Sequence, residues 1–256
     1  MKTETIKKNI NLSKAVIPNS FTAFNALCGF FSIVQSSLGN YDWAFYFIVF
    51  ASLFDLFDGI LARLVNSTSE FGVELDSLSD MTSFGLAPAF LIYSAELYEF
   101  GWLGIVLSGL FLVFGAFRLA RFNVQISDLS IKADFKGLPI PFAALTLSSF
   151  VWNFYNYNDG KILEPYGNFL IPLVILLSLL MVSTVRYNAF PKFTIKSVKE
   201  KPLFIGFVIV SAIVVIISHG DLLFYVFFVI VLFGIFRWFY SLFNKSNNEE
   251  ILEETN

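Results

Sequence analysis

Long apolar runs recur along the chain, separated by short polar breaks, and they fix the architecture before any single residue is considered. A helix that crosses the ~30 Å hydrocarbon core of a bilayer needs about 20 mostly apolar residues. Runs of this kind predict eight helices, at approximately 17–38, 43–65, 78–97, 103–122, 138–154, 169–185, 203–218 and 222–243. The expectation is an all-α integral membrane protein with a transmembrane core over 15–190 and, over 191–244, a loop followed by a two-helix extension. Before the first run, Lys2, Lys7, Lys8 and Lys14 make residues 1–14 a basic segment. It leads into a long span with no small-residue cleavage site after a short apolar core, so it does not read as a removable leader. Residues 245–256 form an acidic tail with Glu249, Glu250, Glu253 and Glu254.

Composition supports the membrane reading. The 256 residues are 56% hydrophobic and only 14% charged, against roughly 25% charged in a soluble domain, so there is too little polar surface to coat a water-soluble fold. With both termini inside and eight spans, all of the 17 lysines and arginines except Lys161 fall on one side. The positive-inside rule makes that side the cytoplasm. The net charge of −3 argues against a nucleic-acid partner, whose footprint is clustered positive charge. Cys28 is the single cysteine and His219 the single histidine. This excludes an intrachain disulfide and a multi-histidine or cysteine-rich metal site, and leaves His219 as a turn residue facing solvent or headgroups. Chemistry here must run on carboxylates, hydroxyls, arginines and lysines.

Carboxylates enter the apolar pattern at one place. Asp55 and Asp58 lie at the cytoplasmic end of the second predicted helix, and Asp76 and Asp80 begin the third. Intramembrane carboxylates are costly and by default functional. Spacings of three and four put each pair on one helix face, and a short connection makes the two helices antiparallel neighbours whose acidic faces can meet. Four such groups in a medium of low dielectric repel one another unless cations neutralise them. Gly59 and Ala62, one turn beyond Asp55 and Asp58, remove side-chain bulk from the same stripe. Small residues also serve helix packing, but beside carboxylates and Arg63 they suit a phosphate-bearing ligand, since hard cations such as magnesium are commonly held jointly by carboxylates and substrate phosphates.

At this point the pattern resembles a known family. Asp55, Asp58, Gly59, Ala62, Arg63, then eight residues to Gly72, three to Asp76 and three to Asp80 match in full the signature of the CDP-alcohol phosphotransferases. The resemblance implies a six-helix catalytic core, here followed by two C-terminal helices, and transfer of a phosphatidyl or related group from a CDP-linked donor with release of CMP. It implies two divalent cations, Mg2+ or Mn2+, held by Asp55, Asp58, Asp76 and Asp80, with Asp80 also the catalytic base. The CDP-lipid would be bound by Asp55, Asp58, Gly59, Ala62, Arg63 and Gly72, with Ser69 and Asn25 as weaker candidates. Within the family, the segments Ile17 to Gly29, Leu75 to Pro88, Arg118 to Asn123 and Gly137 to Pro141 resemble the branch that makes phosphatidylserine.

That branch implies CDP-diacylglycerol and L-serine as substrates, membrane lipids as surroundings, a homodimer, and a bacterial-type cytoplasmic membrane with the active site facing the cytoplasm. Free serine brings a carboxylate and an ammonium. Arg118 and Arg121, three apart, could fork the carboxylate, Asn123 and Ser83 could orient the molecule, and Glu74 could face the ammonium. The same arginines would serve an acceptor with its own phosphate, such as glycerol phosphate or inositol phosphate, and an archaeal ether-lipid donor fits the same signature. A cation transporter would also carry buried carboxylates, but would not need the whole signature.

Overall fold

The computed structural model describes the backbone of residues 2–64, 70–127, 137–185, 187, 217–218 and 220–254. Side chains are described within these from Val16 onward, except at 63, 125–127 and 241–254. Ser69, His219, the Arg63 side chain and nearly all of the expected seventh span lie outside the described residues.

The described chain is helical apart from one small hairpin. Helix α1 (Lys2–Ser37) is followed by α2 (Tyr41–Leu64), with a tight reversal between them. Gly39 takes φ +76°, a conformation open to glycine because it lacks a Cβ. It allows the Gly39 N–H to reach the Ser36 carbonyl at 3.1 Å and the Asn40 N–H to reach that of Gln35 at 2.9 Å. These two bonds satisfy carbonyls that a helix end would leave unpaired and fold α2 back against α1. Along the shared face the Ser32 hydroxyl donates to the Ala44 carbonyl at 2.8 Å.

Next come α3 (Glu70–Asp80), a π-helical turn over Met81–Leu86, and α4 (Ala87–Ala95), which follow one another without a break. Together they cover the expected third span and extend it toward the second. A 3₁₀ turn at Leu97–Phe100 leads to α5 (Trp102–Ser127), and then α6 (Ile140–Phe154) and α7 (Gly167–Val182) flank an antiparallel hairpin, Tyr155–Asn156 with Lys161–Ile162. Helix α8 (Leu223–Glu254) closes the described chain. The hairpin was not expected from the apolar pattern.

Phe84, Leu91, Phe111, Leu138, Ile140, Leu147 and Phe150 fill the interior, each at most 2% exposed. Phe24, Phe30, Trp102, Val124 and Phe236 stay largely exposed, as suits helices surrounded by lipid rather than water. Among the described residues, four helices are long and apolar enough to cross a membrane: Val16–Ser37, Tyr41–Ala62, Trp102–Val124 and Leu223–Tyr240. Ile140–Phe154 and Gly167–Val182 are apolar but shorter, because the extended Gly137–Pro139 segment and the hairpin take residues at their ends. The chain is therefore an integral membrane protein by length and composition of its helices.

At the end of the bundle that carries the hairpin, polar groups tie the helices together. Glu96 accepts the Ile162 N–H at 2.9 Å, the Tyr41 hydroxyl donates to the Ser94 carbonyl at 2.6 Å, and the Asp42 N–H donates to the Tyr157 hydroxyl at 3.0 Å. Asp55, Asp58, Asp76 and Asp80 lie at the other end.

Candidate active site

Helix periodicity explains how the carboxylates meet. At about 100° per residue, Asp76 and Asp80 are offset by about 40° around α3, whereas Asp55 and Asp58 are splayed by about 60° around α2. Asp55, Asp76 and Asp80 accordingly converge, each offering a carboxylate oxygen, with all three within 4.8 Å of one another. Asp58 stands outside this group of three. It is buried, with its carboxylate near Asp76 and within reach of the Thr22 hydroxyl, which itself donates to the Pro18 carbonyl at 3.1 Å.

The donor set fits a hard divalent cation. It consists of carboxylate oxygens, the ligands that Mg2+ and Mn2+ favour, and two of them, Asp58 Oδ2 and Asp76 Oδ1, are buried without a hydrogen-bond partner among the described residues. Buried polar atoms are normally paired, so these oxygens are placed to receive something the described residues do not supply. Gly59 and Ala62 are half-buried on the α2 face beyond Asp55 and Asp58, and Gly72 is half-buried on α3.

The two arginines expected to act as a fork have different surroundings. Arg118 on α5 is half-buried, its guanidinium carbon 5.4 Å from the centroid of the Phe122 ring, and its charge acts on Asp80 and Asp55. Arg121 is spent elsewhere. It donates to the Val182 carbonyl at 2.9 Å and the Met181 carbonyl at 3.1 Å, which belong to the last turn of α7. A cation at a helix C-terminus satisfies unpaired carbonyls and complements the macrodipole. Gly137, at φ +87°, lets the backbone pass close enough for its N–H to reach the Val185 carbonyl at 2.8 Å. Arg121 thus departs from the expected pair, because carbonyls some 60 residues away compete for it.

Other expected residues are drawn into contacts within the protein. Asn123 donates from Nδ2 to the Ser77 hydroxyl at 2.8 Å, joining α5 to α3 beside Asp76. The Ser83 hydroxyl donates to the Asn25 carbonyl at 2.7 Å. Asn25, expected at the donor lipid, turns its Nδ2 to Asp80 Oδ1 at 3.2 Å. Glu74 is exposed. Three residues with no role expected from the sequence also belong to this region. They are Thr22 beside Asp58, Ser77 under Asn123, and Ser79, which is 2% exposed with a hydroxyl that has no partner among the described residues. Ser79 had a signal in its position next to Asp80, but serine is too common on apolar helices for that to mark it.

The sequence profile of the CDP-alcohol phosphatidyltransferases matches residues 15–180. The chain belongs to this family. It is 35% identical over 239 residues to a CDP-diacylglycerol–serine O-phosphatidyltransferase of Helicobacter pylori, an alignment covering 91% of this chain and 97% of that protein. A protein of the same name from Bacillus subtilis is 36% identical over 178 residues, covering 69% and 92%. An archaetidylserine synthase of Methanothermobacter thermautotrophicus is 39% identical over 173 residues, covering 67% and 69%. The matched segment 15–180 contains all four aspartates, Arg118 and the α3 to α4 helical path.

Proposed function

We propose that the protein transfers a phosphatidyl group from CDP-diacylglycerol to the hydroxyl of L-serine, giving phosphatidylserine and CMP, at the cytoplasmic face of a bacterial-type membrane. The reading rests on the convergence of Asp55, Asp76 and Asp80 beside the Arg118 charge. It also rests on the near full-length likeness to a protein named for serine phosphatidyl transfer. It places eight spans across the membrane, six in the catalytic core and two beyond it, with both termini and the acidic end of the bundle in the cytoplasm. The protein would work as a homodimer.

Asp55, Asp58, Asp76 and Asp80 would hold two divalent cations, Mg2+ or Mn2+. When bound, the cations supply charge neutralisation for a diphosphate and for the departing CMP. The chain's own groups do the rest. Asp80 accepts the proton of the serine hydroxyl, which must come within hydrogen-bond reach. The serine oxygen then forms a bond to the lipid-bearing phosphorus as the bond from that phosphorus to the oxygen it shares with CMP breaks, and CMP leaves with that oxygen. Gly59, Ala62 and Gly72 allow the nucleotide diphosphate close to the backbone, with Arg63 and Ser69 at its phosphates.

Arg118 receives the serine carboxylate, having among the described residues no carbonyl partner of the kind that occupies Arg121. Asn123 and Ser83 shape the acceptor side through Ser77 and Asn25, and exposed Glu74 offers a carboxylate to the ammonium. Lipid tails remain between helices in the bilayer, where the exposed Phe24 and Phe30 of α1 lie. The archaeal relative's name also carries serine, which favours serine as the acceptor across lipid types. The test is CMP release by purified, detergent-solubilised protein given CDP-diacylglycerol and Mn2+ or Mg2+, with and without L-serine, with the lipid product identified. Serine-dependent CMP with phosphatidylserine supports the reading. CMP release only with glycerol phosphate or inositol phosphate would overturn the acceptor, and ion flux in liposomes without CMP release would point to a transporter.

A further inference from the structure

A second layer stands behind Asp80. Asn25 is fully buried on α1 and donates from Nδ2 to Asp80 Oδ1 at 3.2 Å, while its own Oδ1 has no partner among the described residues. Turning the amide over would face a carbonyl oxygen against a carboxylate oxygen, so its orientation follows from the charge it serves. A fully buried amide with one half unpaired is a cost to the fold, and an apolar residue of the same size would avoid it. The cost is understandable if the other half has work to do.

The backbone of α1 is held at this spot independently. The hydroxyl of Ser83, in the π-helical turn directly after Asp80, donates to the Asn25 carbonyl at 2.7 Å. One turn further along α1, a Cβ at Gly29 would lie 2.7 Å from the Ser83 Cα, so only glycine permits this approach. A π-helical turn re-aims the residues around it and recurs at functional sites. Here Ser83 fastens it to α1 at Asn25 and packs against Gly29 one turn on.

We propose that Asn25 is a positioning residue for Asp80: its amide fixes one carboxylate oxygen, so that the other is directed to the acceptor hydroxyl, and the Gly29–Ser83 contact sets the height at which it does so. This rests on the reading of Asp80 as the base, and it replaces the expectation that Asn25 binds the CDP-lipid.

The test compares Asn25→Leu and Asn25→Ser with wild type and Asp80→Asn, using steady-state kinetics in both substrates together with calorimetric binding of CDP in the presence of Mn2+. The expected result for Asn25→Leu is a kcat lowered by about 30-fold or more, since a misplaced catalytic group costs up to about 100-fold. Both KM values and the CDP affinity should stay within about two-fold, the signature of an interaction that matters only in the transition state. Asn25→Ser, which keeps a donor and less bulk, should fall between Leu and wild type, and it carries the test if the leucine variant does not fold. CDP affinity weakened about ten-fold with kcat retained would overturn the proposal and return Asn25 to the donor site. Wild-type kinetics in both variants would also overturn it. If Asp80→Asn is inactive at the same time, the base assignment survives that failure. If Asp80→Asn is fully active, the base assignment falls too.

Discussion

Arg118 and Arg121 sit three residues apart on one helix, and the structure predicts that removing each has an opposite effect. Arg121 makes two short charge-assisted hydrogen bonds to the last turn of α7, at 2.9 and 3.1 Å. Bonds of this type contribute about 1.5 kcal/mol each at the lower end, and a cation at a helix C-terminus adds about 0.3–1 kcal/mol. Arg121→Ala should therefore destabilise the protein by about 3–4 kcal/mol, a fall in melting temperature of roughly 6–16 °C for a chain of this size. Arg118 contributes a contact with the Phe122 ring worth about 0.5–1 kcal/mol, so Arg118→Gln should change stability little. Its loss should instead weaken serine binding by about 2–3 kcal/mol, raising the serine KM about 30- to 150-fold. Melting can be followed with a maleimide that fluoresces on reaction, because Cys28 is the only cysteine and is buried. Serine KM is read from CMP release. An Arg121→Ala protein that melts like wild type and has a raised serine KM would refute the division and restore a two-arginine fork. An Arg118→Gln protein with an unchanged serine KM would remove Arg118 from the acceptor site.

Asp80→Asn should lower kcat by about a thousand-fold while leaving the melting temperature at or above wild type, because it removes one of three converging like charges; CMP release and the same melting assay check both halves. Adding Mn2+ to chelator-treated protein should stabilise it by about 2.7 kcal/mol when the ion is at 100 times its dissociation constant, and Asp55→Asn or Asp76→Asn should abolish that gain in a thermal-shift titration. Gly137→Ala should cost at least about 2 kcal/mol, since φ is +87° and the added Cβ would lie 2.6 Å from the Arg121 guanidinium; a wild-type melting temperature would count against the tight crossing at α7.

What the sequence discloses here follows from what is local in it. Spacings of three and four along a helix are fixed by its geometry, so the carboxylates of Asp55, Asp76 and Asp80 could be brought together on paper, and they converge. The splay that sets Asp58 apart lies in the same arithmetic, but a signature treats four aspartates as equals. Arg121 could not be separated from Arg118, because its partners Met181 and Val182 lie on a helix reached only after two further elements. The hairpin after α6 did carry a local sign, Asp159-Gly160, a favoured turn pair, with Gly160 at φ +67°. It was hidden because apolar length, rather than turn chemistry, defines membrane spans. The π-helical turn after Asp80 has no sequence mark of its own. It depends on Gly29, more than fifty residues earlier, allowing the backbones to approach.

The placement of Asp80 shows how one helical path serves two solvents. From Glu70 to Asp80 the chain carries four acidic residues among eleven, whereas Met81 to Ala95 has none. The carboxylates therefore end where the apolar path begins, and Asp80 is the last of them. A substrate with lipid tails and a diphosphate headgroup needs the same division of surroundings, since its tails belong beside Phe24 and Phe30 and its phosphates beside hard cations. Serine, fully polar, can arrive only from the aqueous side. The reacting hydroxyl must meet the lipid-bearing phosphorus at the boundary, and the Asp80 carboxylate is the last acidic group along this path that can meet it there. Moving the aspartate one turn deeper would place an acidic group in the apolar segment, away from water and from Asp55 and Asp76. One turn shallower, it would lose the buried amide of Asn25 that holds it. The π-helical turn fixes that depth, so the position of the last carboxylate is set by α1 as much as by α3.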